Sequence, residues 1–148
     1  MKNSELIEGI KLYFDEGTKL RVLFENGVTK QYDMEDAIKD IPQLEPLRNR
    51  DLFLKGKLDL GGIVWTDELD YDIHCVYILG KEVPNNDERK ELYVLGYKIW
   101  FLRCKKHLSQ KQLSKLSGID QSDISKLERG ELNPSVLQIK RIAKALNA

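Results

Sequence analysis

The chain has 148 residues, with 24 Lys and Arg against 24 Asp and Glu, so its formal net charge is zero. With 41% hydrophobic and 32% charged residues it is a folding chain rather than a disordered one. Its longest apolar runs, such as Cys75 to Leu79, fall far short of the roughly 20 residues that span a bilayer.

Neutrality over the whole chain speaks against a nucleic-acid partner, but the charges are unevenly placed. Residues 1–95 carry 13 basic and 20 acidic side chains, a balance of −7; residues 96–148 carry 11 and 4, a balance of +7. Such a split predicts two small domains with different partners, the basic one suited to phosphate. The expected division is residues 1–80, a linker over 81–91, and residues 92–148.

The start, Met1 to Glu5, lacks the basic region and apolar run of a secretory leader, so the cytoplasm is the expected compartment. Strands are predicted over Leu6 to Phe14, Leu20 to Phe24 and Val28 to Tyr32, with Asn26-Gly27 as the strongest hairpin signal. Leu20, Val22 and Phe24 alternate with Lys19, Arg21 and Leu23, the pattern of a half-buried antiparallel sheet. Asp33 can cap a short helix running through Ile38.

Pro42 and Pro46 interrupt the next stretch, and two more strands are expected around Gly61-Gly62, from Leu58 and Leu60 to Ile63-Val64-Trp65. Asp72 can cap a helix carrying Ile73, Val76, Tyr77 and Leu79. The first segment is therefore read as an α+β domain, a small antiparallel sheet with short helices. Asp67, Glu68, Asp70 and Asp72 are better explained by capping and solubility than as a metal or acid–base cluster, and no catalytic signature stands out. Cys75 and Cys104 lack C-x-x-C spacing and read as reduced, buried thiols. No cofactor is implied.

Pro84 and Asn85-Asn86-Asp87 mark the linker, with Asn86 a possible N-cap. Ile99 and Leu102 then recur at helical spacing. Ser109 and Gln112 form a capping box for a second helix, with Leu113 and Leu116 inward and Gly118 as its stop. Asp120 opens a third helix, with Ile124 and Leu127 inward, that ends at Gly130. Asn133-Pro134 reads as the cap and first residue of a fourth, along which Ile139, Ile142, Ala143 and Leu146 follow at i, i+3, i+4 and i+7. Two short helices joined by a tight glycine turn can lay the second in a DNA major groove.

Leu108-Ser109-Gln110 through Leu113, Gly118-Ile119, Gln121 through Gly130 and Asn133-Pro134-Ser135 together resemble the Xre/phage-repressor helix-turn-helix family over about residues 95–147. The resemblance implies an all-α domain of four helices; many relatives continue into a fifth, so Leu92, Tyr93, Leu95 or a second subunit is expected to cover apolar surface here. It implies base reading by Gln121, Ser122, Ser125 and Lys126. Gln110, Lys111, Arg129 and Asn133 are placed toward phosphate, whose recognition needs charge or donors rather than edge matching. Arg103 and Glu128 match the family's structural ion pair. Asp123, at the third helical position, serves the helix start, and Lys140, Arg141 and Lys144 read as a solvated face.

Residues Tyr13 to Tyr77 also resemble a small bacterial domain of unknown function found with Xre-type regulators, through Leu23 to Gly27, Glu45-Pro46-Leu47, Ile63-Val64-Trp65 and Asp70 to Tyr77. Such proteins often resemble antitoxins. The expected function is thus a sequence-specific, double-stranded-DNA-binding transcriptional regulator, a homodimer on a palindromic operator, with a basic toxin as a possible partner. A protein-interaction module that no longer binds DNA is the alternative, and an enzyme the least supported one.

Overall fold

The structure, a computed structural model, describes residues 7–59 and 61–148. The chain divides into two compact units, Met1–Asn86 and Asp87–Ala148, each with its own apolar core. On this division the first unit holds 11 basic and 17 acidic side chains, a balance of −6, and the second 13 and 7, a balance of +6.

In the first unit β1 (Gly9–Phe14), β2 (Lys19–Phe24) and β3 (Thr29–Asp33) form an antiparallel meander. The β2–β3 turn rests on Gly27, whose φ of +86° most side chains resist, and Asn26 Oδ1 accepts from the Val28 N–H at 3.1 Å. Leu20, Val22 and Phe24 line the core as their alternation requires. Leu23, expected outward with Lys19 and Arg21, is fully buried as well, so both faces of β2 are covered at that end.

Asp33 caps α1 (Met34–Asp40), its Oδ1 accepting from the Glu35 N–H at 3.0 Å and from Thr18 Oγ1 at 2.6 Å. A 3-10 turn over Pro42–Arg48 and the single-turn α2 (Arg50–Phe53) bury Leu44, Leu47 and Phe53. A second sheet follows, with β4 (Lys57–Asp59), β5 (Gly62–Thr66) and β6 (Leu69–Asp72) in that order. β6 buries Leu69 and Tyr71 and alternates them with the exposed Asp70 and Asp72. Asp72 caps α3 (Ile73–Leu79) by accepting from the His74 N–H at 2.9 Å. Leu6 and Leu60, expected in strands, lie outside the described residues.

The stretch expected to link the domains, 81–91, is divided between them. β7 (Lys81–Glu82) pairs with β3, and the Val83 N–H and Asn85 Nδ2 donate to Thr29 O and Oγ1, each at 3.0 Å. Residues 90 and 91 already belong to the next helix.

The second unit consists of α4 (Lys90–Lys105), α5 (Gln110–Ser117), α6 (Gln121–Glu128) and α7 (Val136–Leu146). Ile99, Leu113, Ile119, Ile124, Leu127, Ile142 and Leu146 form its core, with Leu95, Leu102, Leu108 and Leu132 packed around them. Asn86 does not cap α4; Arg89 precedes it, held in a turn by Asp87 Oδ1 at 2.9 Å. The cap of α7 is Ser135, not Asn133. Ser135 and Gln138 form a capping box that satisfies two backbone donors at once, which the Asn133-Pro134 start could not do.

Two positions expected inward are not. Leu116 is 61% exposed, because the buried phase of α5 runs from Leu113 to Ser117 at i+4, and Ile139 lies at the exposed edge of α7. Cys104 is exposed and Cys75 half-buried, so neither is the fully buried thiol expected. No helix among the described residues is long and apolar enough to cross a membrane.

Candidate nucleic-acid interface

The α5–α6 pair is fixed by local chemistry before any long-range packing. Ser109 Oγ accepts from the Gln112 N–H at 3.0 Å while Gln112 Oε1 accepts from the Ser109 N–H at 2.7 Å, closing the capping box at the start of α5. Gly118 ends the helix with φ +73°, a left-handed conformation that a Cβ would strain. Two serines then brace the turn: Ser117 Oγ donates to Leu113 O at 2.7 Å and accepts from the Ile119 N–H at 3.3 Å, and Ser114 Oγ donates to Ile119 O. Ser117, just before a helix-ending glycine, is placed to bond backward, whereas Ser114 finds Ile119 O only because the turn folds over it.

Ile119 is thereby seated in the core and α6 starts at Gln121. Asp120 is the N-cap residue, but through its backbone carbonyl, with no bond from its side chain. Ile124 and Leu127 are buried, and Gln121, Ser122 and Lys126 stand exposed on the remaining surface of the helix. The far end closes in a Schellman motif: Gly130 N–H donates to Leu127 O at 3.1 Å and Glu131 N–H to Lys126 O at 2.9 Å, with Gly130 at φ +72°.

Below α6 lies a polar clamp. Arg103 of α4 donates through Nε and Nη2 to the two carboxylate oxygens of Glu128, at 2.6 and 2.9 Å, and through Nη1 to Leu108 O at 2.8 Å. Only 12% of the arginine side chain and 6% of the glutamate side chain meet solvent. Gln110 Nε2 adds a third donor to Glu128 Oε1 at 3.0 Å. A carboxylate at the C-terminal end of a helix meets the unfavourable end of the dipole, and these donors compensate it. Hydrogen bonding to Glu128 raises the Arg103 guanidinium above its already high range.

The amide of Gln110, expected toward phosphate, is therefore turned to the clamp. Lys111 is exposed beside it on the first turn of α5. Ser125, expected to read bases, is half-buried and its Oγ accepts from Arg129 Nη1. Arg129 also pairs with Glu131. Asn133 is exposed in the loop before α7.

The position that sequence reasoning missed outright is Gly96. A Cβ there would lie 2.4 Å from Leu127 O and 2.8 Å from Glu128 O, so α4 and α6 cross backbone against side-chain-free backbone. Gly96→Ala is expected to destabilise the unit by about 1–3 kcal/mol in urea unfolding, since the helices must part to admit the methyl. A variant as stable as the parent would contradict the close approach. Tyr93, expected to cover apolar surface, similarly lies against Gly130, and Leu95 packs on the core.

A helix-turn-helix family model matches residues 101–148. The restriction-modification controller protein C.AhdI from Aeromonas hydrophila is 40% identical over 38% of this chain and 86% of its own, with a TM-score of 0.38. The chain belongs to the helix-turn-helix family. Sequence identity over most of the controller protein carries that kinship. A candidate DNA-binding protein from Nitrosomonas europaea matches 96% of this chain and 88% of its own at 15% identity, with a TM-score of 0.47. No curated protein matches the chain. In this helix-turn-helix unit α5 and α6 are the paired helices, and α6 exposes Gln121, Ser122 and Lys126.

Proposed function

We propose that the protein is a transcriptional regulator that binds double-stranded DNA by sequence, laying α6 in the major groove. The observation that carries this reading is the division of α6 into two faces. Ile124 and Leu127 anchor one in the core, and the other exposes Gln121, Ser122 and Lys126 together. These are groups able to reach base edges: a glutamine amide pairs with adenine N6 and N7, and a lysine ammonium donates to guanine O6 and N7. The balance of +6 on this unit and its kinship with a controller protein support the same reading.

Gln121 and Lys126 are the specificity residues in this proposal, and Lys111, Arg129 and Asn133 position the helix on phosphate. Ser122 reads weakly, and Ser125 acts through Arg129. Gln110 meets phosphate through its backbone N–H at the start of α5, its amide being held by Glu128. Two copies on a palindromic operator would match the two-fold of the site.

Lys126→Ala and Gln121→Ala are each expected to shrink the preference for the bound site over a single-base variant by roughly 1–3 kcal/mol, about 5- to 150-fold. Competition binding with matched duplexes measures this. Equal loss on every duplex would move these residues to the phosphate class. The −6 balance of the first unit suits a basic protein partner, such as the toxin of an antitoxin pair. Salt-sensitive co-purification of a small basic protein with the full chain is the expected sign, and its absence from native extracts would remove that role.

A further inference from the structure

Arg129 closes α6 at the edge of the proposed DNA face, and it is not idle in the free protein. Its Nε donates to Glu131 Oε2 at 3.0 Å, its Nη2 lies 2.9 Å from the same oxygen in an ion pair, and its Nη1 donates to Ser125 Oγ. Glu131 is not a roaming surface carboxylate. The Schellman motif fixes its backbone through the bond to Lys126 O, two residues beyond Arg129 and past a left-handed glycine. The Arg129 hydrogen bond holds the Glu131 carboxyl below the usual carboxylate range. Both side chains remain about half exposed, 54% and 49%, so an incoming oxyanion can reach the same guanidinium edge.

A carboxylate oxygen and a phosphate oxygen compete for the same Nε–Nη2 edge of a guanidinium, and both cannot hold it at once. We propose that Glu131 occupies, in the DNA-free protein, the place that a DNA phosphate takes on Arg129, so that it acts as a built-in competitor setting the affinity of the interface. This rests on the DNA-binding reading above. On binding, the guanidinium exchanges Glu131 for phosphate, and the carboxylate is left beside the backbone without its partner. The pair also keeps Arg129 extended along α6 over Ser125, so its removal frees a donor and loosens its placement. The net effect expected of removing Glu131 is a gain in affinity, because phosphate then meets a guanidinium with no carboxylate partner to give up, and a small one, because exposed pairs of this kind stabilise weakly.

The test is a double-mutant cycle on the full chain, with one bound duplex obtained by selection and affinities measured at fixed salt. Glu131→Gln and Glu131→Ala are expected to tighten binding roughly two- to fivefold per DNA-contacting subunit. Either substitution made in an Arg129→Ala background is expected to change nothing, since the competition has lost its object. Equal tightening in both backgrounds would show Glu131 acting by general repulsion and would overturn the proposal, as would no tightening in either. If the parent chain binds no duplex, the DNA-binding reading fails and this inference with it; if the parent binds and the cycle shows no coupling, only this inference fails.

Discussion

Arg103→Ala is expected to destabilise the C-terminal unit by roughly 3–5 kcal/mol, and Glu128→Ala by a similar amount. Each substitution strands the other charge in a site that is almost closed to water, where its hydrogen bonds cannot be replaced. For Glu128 the loss is compounded, because three side-chain donors, from Arg103 and Gln110, converge on its carboxylate. Arg103→Lys keeps the charge but not the fork that spans both oxygens, so an intermediate loss is expected. Replacing both members by apolar residues of similar volume should cost less than either single change, as the desolvation of two ions is then avoided. Urea unfolding of the four variants measures this. Single substitutions each costing under about 1 kcal/mol would contradict a buried clamp and put the pair among solvent-screened ones.

Affinity for duplex DNA is expected to fall by about a hundredfold between 50 and 200 mM salt. The figure follows from Lys111 and Arg129 as phosphate cations in each of two subunits: four neutralised phosphates at a slope of about −0.9 each give a total near −3.6 in log–log form. Lys111→Ala should reduce that slope by about 2 for the dimer while leaving base preference alone. Lys126→Ala should do the reverse, changing preference more than slope. A slope near zero would mean that the basic balance of this unit serves something other than phosphate.

The parts of this protein legible in its sequence are those governed by neighbours in the chain. The Ser109–Gln112 capping box, Gly118 and the caps Asp33 and Asp72 all rest on bonds between residues two to four positions apart, or on a single backbone angle. The two-domain split was visible as charge, and the Arg103–Glu128 pair followed from family resemblance rather than spacing. What escaped depended on tertiary context. Gly96 looks only unfavourable inside a helix until α6 is laid against it. Leu116 has the composition of a core residue, but the serine one position later takes the buried place because its hydroxyl finds backbone partners. β7 is two residues long and exists because β3 offers it an edge. At the candidate interface, Gln121, Ser122 and Lys126 are exposed. The turning of Gln110 to Glu128 and of Arg129 to Glu131 could not be read from residue type alone.

Reading of double-stranded DNA by α6 is open to direct test through selection of bound duplexes from a random pool with the full chain at low salt. Enrichment of a palindrome whose half-sites lie about one helical turn apart, roughly 34–36 Å, is expected, with enrichment lost in the Gln121→Ala, Lys126→Ala double variant. A pool that stays random after repeated rounds, from a chain that is folded by circular dichroism, would contradict it.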